Sequence, residues 1–446
     1  MSKKEKATQL TKTMTTLDGW AIGTGAMMGV AIFVVSGQIS GVAGPAACLG
    51  FFIAAAIVMV VALCYCEVSA AYPIAGGAYI FPRKAIGGKA GELLSFISGW
   101  CLWGGQGLGP CMVSIACASY ISFTCQLLGF VNPIPEKTIA IVLVILFGIA
   151  NMRGSGGGKL LQLVSTLIIA AIMVTFIIWG GLNVKQELLA EFAPKGFSSI
   201  LSCAAVCIFS FSGWSSIPAM SEEFVNPGKQ VPKSIIYSLV TCGLIFTAFV
   251  YIMNGLMPGS ELAVSSAPPA DAFSTVTKYG GLLTAIGGIF ACVSTGNGLL
   301  MTGARIPYSM SRHGDIPKFL GKVNSDGIPY VGVILTVVGQ LVLVITGAMS
   351  IITQMTVFVT SLSWIITIIC LVFLREKHKE IKPEFRAPAY PIIVILASAA
   401  LIFMLTKLNM NAIKIGSYWI AGGVVIYYLF KKTSLKMFCE DAEENE

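Results

Sequence analysis

Charged residues are scarce in this sequence. Only 11% of the 446 residues are Asp, Glu, Lys or Arg, whereas about a quarter is usual in soluble domains. Hydrophobic residues make up 56% of the chain and the mean hydropathy is +0.83, which excludes a soluble fold and argues against a nucleic-acid-binding protein despite the net charge of +8. The apolar runs are continuous rather than alternating, which disfavours a β-barrel. The composition predicts a polytopic helical membrane protein.

Histidine is nearly absent, and cysteine does not cluster. The two histidines, His313 and His378, lie in charged segments between apolar runs, which excludes a histidine relay inside the membrane. The thirteen cysteines are spread along the apolar runs. Cys64 and Cys66 have no second pair or histidine nearby to complete a zinc site. We therefore expect small buried cysteines, no metal centre and no cofactor.

Twelve apolar runs follow one another along the chain, and each is interpreted as one membrane span. They cover 16–37, 43–72, 92–128, 138–152, 160–183, 198–222, 232–257, 281–304, 328–347, 350–374, 389–407 and 415–430. The third run is long enough for two spans. We interpret it as one long tilted helix with a peripheral turn, because splitting it would spoil the charge distribution described next.

Basic residues are divided unequally between the segments that connect these runs. With twelve spans and the N-terminus inside, 23 Lys and Arg lie on inside segments and 6 on outside segments. Positive charge favours the cytoplasmic side, so we expect a multi-pass protein of the cytoplasmic membrane with both termini in the cytoplasm. The outside segment 258–279, which holds three prolines, is expected to form a short external cap.

Two runs contain residues that a lipid-facing helix avoids. The first holds Gly23, Gly25 and Gly29, and each glycine costs about 1 kcal/mol of helix propensity relative to alanine; close helix packing through small residues is the other interpretation of this spacing. Serines, a glycine and Pro218 interrupt the sixth run over 209–218. Breaks five spans apart, at equivalent places in two halves, indicate an inverted-repeat transporter with a site at the membrane midplane.

Interrupted helices offer backbone groups to a ligand. Unwinding near Gly29 to Ala31 frees amide N–H groups at the start of a half-helix, where a carboxylate binds without any charged side chain. Unwinding near Ser212 and Gly213 exposes carbonyl groups that suit an ammonium group. A site with these two ends fits an α-amino acid. The candidate substrate-binding residues are Ala26, Met27, Gly29, Val30, Ala31, Phe209, Ser210, Phe211, Ser212, Gly213 and Ser215.

One of these candidates is also a candidate lid. Phe209 precedes the break in the sixth run by a few residues, where an aromatic ring can close over substrate from the outside. The alternative is a phenylalanine that faces lipid or the protein core.

The charge of the substrate follows from the position of the acidic residues. Asp18, Glu67, Glu222 and Glu223 map to span ends, and runs one, three, six, eight and ten have no Asp or Glu at mid-depth. An unpaired buried cation is costly, so a neutral amino acid is favoured. The alternative is a cationic amino acid, a polyamine or an organic amine bound by cation–π contacts. The rings available for such contacts are Phe209, Phe211, Trp214, Trp103 and Trp364.

Other functional classes lack support in the sequence. A channel needs polar or charged rings along a pore, an enzyme needs catalytic groups that face one another, and a receptor needs a partner-binding domain. We therefore expect a secondary active transporter that is not an enzyme and works as a monomer or homodimer. Its partners would be an amino acid and the lipid bilayer, and no nucleic acid.

Five blocks of residues, in order along the chain, resemble the amino acid–polyamine–organocation (APC) superfamily. The segment 28–33 is similar to the G-S/A-G-I-F stretch in the family's first helix. The residues that match the other blocks are Glu67, Pro73, Gly76, Gly77, Tyr79, Gly87, Gly99, Trp100, Asn151, Gly154, Gln162, 209–213, Glu222, Glu223, Asn226, Pro227, Val231, Pro232, Asn297, Arg305, Ser309, Gly314 and Pro317.

The resemblance implies an all-α LeuT-type fold with twelve transmembrane helices. Five plus five helices form an inverted repeat in which helices one and six are broken, and two peripheral helices follow. The implied division is a cytoplasmic tail (1–15), a first repeat (16–183), a second repeat (198–374), the peripheral helices (389–430) and a second cytoplasmic tail (431–446).

Three departures from the family pattern affect the site. Val30 and Ala31 stand where the family usually has a serine and a second glycine. Ser215 stands where several exchangers of cationic substrates have an acid. The lysine that proton-coupled relatives often place in helix five is absent, since its equivalent falls near Ile169. The last departure puts lysine-based proton coupling in doubt.

The coupling ion therefore stays open between two mechanisms. A sodium ion would bind carbonyl groups between Ala26 and Gly29 and the hydroxyls of Ser294 or Thr295, because half-helix ends supply such hard oxygen ligands. The other mechanism is substrate exchange with no coupled ion, and then the two hydroxyls would form ordinary interhelical hydrogen bonds.

Overall fold

The computed structural model describes residues 10–152, 154–265, 267–347, 349–406 and 408–443. Helices dominate these ranges, in which the only extended pairing is one parallel bridge between Met14 and Phe224. The α-helices are α1 (Thr16–Met27), α2 (Val30–Ala43), α3 (Ala47–Ala71), α4 (Ile80–Ala85), α5 (Gly88–Leu102), α6 (Cys111–Leu127), α7 (Glu136–Met152), α8 (Gly154–Gly181), α9 (Gln186–Leu189), α10 (Gly196–Cys207), α11 (Pro227–Leu256), α12 (Gly259–Val264), α13 (Pro268–Ser274), α14 (Gly280–Arg312), α15 (Tyr330–Thr346), α16 (Met349–Lys377), α17 (Ile392–Thr406) and α18 (Met410–Glu443). The 3₁₀ helices are Gly44–Ala46, Gly77–Tyr79, Ile208–Glu223 and Lys318–Gly321, and Trp103–Leu108 is a π-helix.

Each apolar run of the sequence coincides with helical structure. Within the described ranges, eight helical segments are long and apolar enough to cross a membrane. They are Val35–Ala71, Gly88–Leu127, Gly157–Gly181, Gly196–Glu223, Pro227–Leu256, Gly280–Arg312, Met355–Lys377 and Met410–Lys431. α15 and α17 are shorter apolar helices. An all-helical, multi-pass membrane protein is thus confirmed, and the division into twelve spans stays a prediction.

The first apolar run is divided, as its glycines predict. α1 ends at Met27 and α2 begins at Val30. Between them, Met28 has φ −72° and ψ 39°, and Gly29 is extended with φ −94° and ψ −161°. These dihedral angles interrupt the helical hydrogen-bond ladder at Met28–Gly29.

The sixth run changes its helix type instead of losing its helix. α10 gives way to the 3₁₀ helix Ile208–Glu223, which is 16 residues long and includes Pro218. The unwinding predicted near Ser212 and Gly213 is therefore wrong in form. A 3₁₀ helix rises about 2.0 Å per residue and rarely exceeds four residues, so a run of this length marks a strained or functional stretch. We call Ile208–Glu223 the 3₁₀ segment.

Helical structure covers the third run from Gly88 to Leu127, and its interpretation as one long tilted span with a peripheral turn stays a prediction. The middle of this segment contains the π-helix Trp103–Leu108, which the sequence analysis did not predict. We call this stretch the π turn. Single π turns within α-helices are frequent at functional sites.

Two groups of helices meet around the interrupted segments. α1, α3, α11 and the 3₁₀ segment pack together, and α6, α7, α14 and α15 form a second packed group. α1 also contacts α8 and α14, so the break at Met28–Gly29 lies where the two groups join.

The two ends of the bundle are closed by different segments. At one end, the amides of Thr13 and Met14 donate to the carbonyl of Glu223 at 2.9 and 2.8 Å, and the amide of Val225 donates to Met14. We call this the Met14 end. The segment 258–279 forms the short helices α12 and α13, and α12 packs on α2 with Leu262 fully buried.

Candidate functional site

The break in the first run leaves the start of α2 open to a ligand. Gly29 is the N-cap of α2, and no side chain within the described part of the chain caps this N-terminus. The amide of Met28 is used, since it donates to the carbonyl of Thr24 at 2.8 Å. The first amides of an α-helix have no partner within the helix and favour an anion. The backbone of Val30 and Ala31 begins α2, and their side chains lie outside the described residues.

Gly213 brings the two predicted segments into contact. A Cβ atom added to Gly213 would lie 2.6 Å from the carbonyl carbon of Ala26 and 2.8 Å from the amide nitrogen of Met27. Only a residue without a side chain allows the 3₁₀ segment to lie this close to the end of α1. Residues 26–27 and Gly213, which the sequence placed in one site, are therefore neighbours.

The other predicted residues of the 3₁₀ segment take different places. Ser210 is buried and its hydroxyl has no hydrogen-bond partner in the described part of the protein. The ring of Phe211 packs against Phe51 and Phe246 at centroid distances of 6.2 and 5.3 Å, so it contributes to the core between α3 and α11. Phe209 is half-buried. The carbonyl of Ser212 accepts a hydrogen bond from Ser215 at 2.9 Å.

The glycines of the first run also serve helix packing. A Cβ atom added to Gly29 would overlap the hydroxyl of Thr295, and one added to Gly25 would overlap that of Ser294. Both partners lie on α14. Close packing through small residues and an interrupted helix are thus both present, and they are two effects of the same glycines.

The hydroxyls of Ser294 and Thr295 are bonded to other parts of the protein. Thr295 donates to the carbonyl of Gly25 at 3.0 Å. The hydroxyl of Ser294 lies 2.9 Å from the hydroxyl of Thr166 and accepts from Nε2 of Gln162 at 2.9 Å. Interhelical hydrogen bonds, one of the two interpretations of these hydroxyls, are therefore what the structure contains.

A chain of amides fixes the orientation of Gln162. Nδ2 of Asn151 donates to Oδ1 of Asn297, and Nδ2 of Asn297 donates to Oε1 of Gln162, each at 2.9 Å. The amide nitrogen of Gln162 must then donate, and it does so to Ser294 and, at 3.2 Å, to the carbonyl of Ala21. The N–H donor of Gln162 thus lies between the Ala21 carbonyl oxygen of α1 and the Ser294 hydroxyl of α14.

Most of this network was not predicted from the sequence. Gln162, Asn151 and Asn297 were identified only as matches to a family pattern, and Thr166 was not identified. Gln162 and Thr166 are four residues apart on α8 and therefore share one face of that helix. That spacing was the available signal.

Four acidic residues at or near helix ends form ion pairs with arginines. All four pairs join segments that are distant in the sequence. They are Glu67 with Arg375, Glu222 with Arg312, Glu223 with Arg305, and Asp315 with Arg83, at 2.5, 2.9, 2.8 and 2.7 Å.

Asp18 stabilises the start of α1. Its carboxylate accepts from the amide of Thr15 at 2.7 Å, and its own amide donates to the Thr15 hydroxyl at 3.4 Å. This reciprocal pair is a capping box. Thr15 is the N-cap residue, and Asp18 lies in the first turn of α1.

The broken first helix and the 3₁₀ segment that lies against its end belong to a helical protein with eight described segments long and apolar enough to cross a membrane. The family model described as amino acid permease matches residues 15–430. The chain therefore belongs to the amino acid permease family of the APC superfamily.

Relatives of this chain carry different substrate names. The methylthioribose transporter of Bacillus subtilis is 28% identical, over 97% of this chain and 96% of its own length. The branched-chain amino acid permease of the same organism is 26% identical, over 93% of this chain and 92% of its length. Cationic amino acid transporter 4 of Mus musculus is 28% identical, over 75% of this chain and 55% of its length.

Proposed function

We propose that this permease is a secondary active transporter of neutral amino acids that works by alternating access. The observation that carries the proposal is the uncapped N-terminus of α2 at the buried Gly29, two residues after Met27, whose backbone lies against Gly213. Amide donors and the positive end of a helix dipole bind a carboxylate at such a place. The proposed fold is of the LeuT type, with twelve spans and with repeats at 16–183 and 198–374. The protein would lie in the cytoplasmic membrane, with both termini in the cytoplasm.

The predicted substrate-binding residues are kept in this proposal with distinct roles. Gly29, Val30 and Ala31 would supply amides to the carboxylate, and carbonyl groups at the end of α1 and in the 3₁₀ segment would accept from the ammonium group. Ala26, Met27, Ser210, Ser212, Gly213 and Ser215 would surround the substrate, and Phe209 would close over it. Phe211 is the weakest member of the set, because its ring packs against Phe51 and Phe246.

A neutral substrate is supported by the way charge and aromatic rings are distributed. Glu67, Glu222, Glu223 and Asp315 each pair with an arginine at a helix end, so none of these four carboxylates is left for a cationic substrate. Four of the five rings proposed for cation–π contacts, those of Phe211, Trp214, Trp103 and Trp364, pack against other aromatic rings. Trp214 packs on Trp364 and Tyr65 with centroid distances of 5.3 and 4.9 Å, and Trp103 packs on Trp100 and Trp419.

We further propose that transport is an exchange of amino acids with no coupled sodium ion. A cation near Ala26 to Gly29 would need the oxygens of Ser294 and Thr295 as ligands, since hard cations bind oxygen. The amide nitrogen of Gln162 already donates to Ser294, and Thr295 already donates to Gly25. An N–H donor beside these oxygens takes the place that a cation would need.

Uptake into liposomes tests both parts of the proposal. The purified protein is reconstituted, and uptake of labelled neutral amino acids is measured with a sodium gradient, with a proton gradient, or with unlabelled amino acid inside. We expect uptake only with internal amino acid. Uptake driven by sodium alone would refute the exchange proposal and restore the sodium site. Failure of every neutral amino acid to enter would refute the substrate class.

A further inference from the structure

A second polar group lies next to the proposed site, on the π turn. Gln106 is 4% exposed and sits in the glycine-rich stretch Trp103–Leu108. The absence of side chains lets this stretch approach other helices, since a Cβ added to Gly107 would lie 3.3 Å from the Cα atom of Gly303. Nε2 of Gln340 donates to the carbonyl of Gly107 at 2.7 Å. A hydrogen bond and close backbone packing therefore hold the π turn in place.

The side chain of Gln106 reaches the 3₁₀ segment. Its Nε2 atom donates to the hydroxyl of Ser215 at 2.5 Å, and its Oε1 atom accepts from the hydroxyl of Ser216 at 3.4 Å. We call Gln106, Ser215 and Ser216 the Gln106 cluster. The cluster carries no charge and offers both donors and acceptors. Ser215 follows Gly213 by two residues, and Gly213 contacts the end of α1.

Among the described residues, three buried side chains with unpartnered donors neighbour this cluster or pack on a residue that does, since Trp364 packs on Trp214 at a centroid distance of 5.3 Å. Nε1 of Trp214, Nε1 of Trp364 and the hydroxyl of Thr360 are buried, and none has a hydrogen-bond partner among the described residues. Trp214 directly precedes Ser215. The hydroxyl of Thr360 would lie 2.6 Å from a Cβ added to Gly105, the neighbour of Gln106. Buried donors are normally paired. The oxygen of a bound ligand could therefore be the acceptor that these donors lack.

We propose that the Gln106 cluster contacts the side chain of the substrate and selects amino acids with a hydroxyl or amide group. This inference rests on the proposed function and names the substrate subclass within it. A hydroxyl or amide group of the substrate can accept from the neighbouring donors through its oxygen, and it can donate to the cluster through its O–H or N–H. A purely aliphatic side chain leaves those donors unpaired, and a site built for hydrogen bonds discriminates against such an analogue.

Threonine and valine give the sharpest test, because they differ by a hydroxyl in place of a methyl group. Initial rates of exchange into liposomes are measured for each at subsaturating concentration. We expect wild-type protein to transport threonine about 3- to 10-fold faster than valine, as one net hydrogen bond implies. Gln106→Leu should bring the ratio close to one.

A smaller variant and a matched control complete the experiment. Ser215→Ala removes only a hydroxyl and decides the question if Gln106→Leu does not fold; it should also lower the ratio. Gln340→Leu removes another buried glutamine beside the π turn, whose amide bonds a backbone carbonyl, and should keep the wild-type ratio.

The outcomes separate this inference from the proposed function. A wild-type ratio at or below one overturns the inference, and so does a ratio that Gln106→Leu and Ser215→Ala both leave unchanged. If only aliphatic amino acids enter, the inference is wrong and the proposed function stands. If no neutral amino acid enters, the proposed function itself is wrong.

Discussion

Breaking the ion pair between Glu223 and Arg305 is expected to be one of the most destabilising single changes at the Met14 end. The two side chains are 7% and 5% exposed, and they share two hydrogen bonds of 2.8 and 3.1 Å. Glu223→Gln removes the negative charge and replaces one of the two acceptor oxygens with an N–H donor, so the buried guanidinium keeps only neutral acceptors, the amide oxygen of Gln and the carbonyl of Met301 at 3.0 Å. Breaking a buried pair in this way costs about 3–5 kcal/mol.

The adjacent residue provides a matched control. Glu222 pairs with Arg312 at 2.9 Å, but the two side chains are 22% and 40% exposed. A solvent-exposed pair contributes about 0–1 kcal/mol, so Glu222→Gln should change stability little. Both substitutions leave the backbone carbonyl of residue 223 in place. The bonds from Thr13 and Met14 to that carbonyl therefore do not enter the comparison.

The unfolding temperature of each variant is measured in detergent, from the loss of monodisperse protein on heating. Glu223→Gln should unfold at a clearly lower temperature than Glu222→Gln. Adding Arg305→Gln to Glu223→Gln should recover part of the loss, because the double variant no longer buries an unpaired charge. Equal unfolding temperatures for the two single variants would refute the reasoning.

Three further predictions follow from the described contacts. Gly213→Val should abolish transport, because a Cβ atom at this position would lie 2.6 Å from the backbone of Ala26; normal uptake rates would show that the two segments do not need to touch. Phe209→Ala should raise the half-saturation constant for transport while the protein stays folded, and an unchanged constant would exclude the lid. Burial lowers the pKa of His313, aided by Arg83 and Arg312, while the carbonyl of Ser309 and the carboxylate of Asp315 oppose the shift. The unfolded chain then binds the proton more readily, so stability should fall as pH drops below about 6.5. His313→Gln should weaken this pH dependence of the unfolding temperature, and an unchanged dependence would contradict the prediction.

Local sequence rules were sufficient for the helices and for the break in the first run. Continuous apolar stretches predict spanning helices regardless of their neighbours. Gly25 and Gly29 weaken the helix at the place where α1 ends and α2 begins. The capping role of Asp18 is equally local, since Thr15 and Asp18 are three residues apart.

The form of the 3₁₀ segment depended on contacts distant in the sequence. Serine, glycine and Pro218 signalled a weak α-helix, but the same residues allow either unwinding or tighter winding. Gly213 packs on the backbone of Ala26 and Met27, and this contact is invisible in the sequence. The same limit applied to Gln106 and Gln162, whose partners lie on other helices.

The central claim is that the free carboxylate and ammonium groups of an amino acid are bound at the break between α1 and α2. Competition for transport by modified substrates tests it most directly. The competitors are a transported neutral amino acid, its methyl ester and its N-acetyl derivative. Losing one charge-assisted hydrogen-bonding group should weaken competition about 10- to 100-fold, so we predict that only the unmodified amino acid competes well. Equal competition by the ester would contradict the account, because the amides at the start of α2 would then not bind a carboxylate.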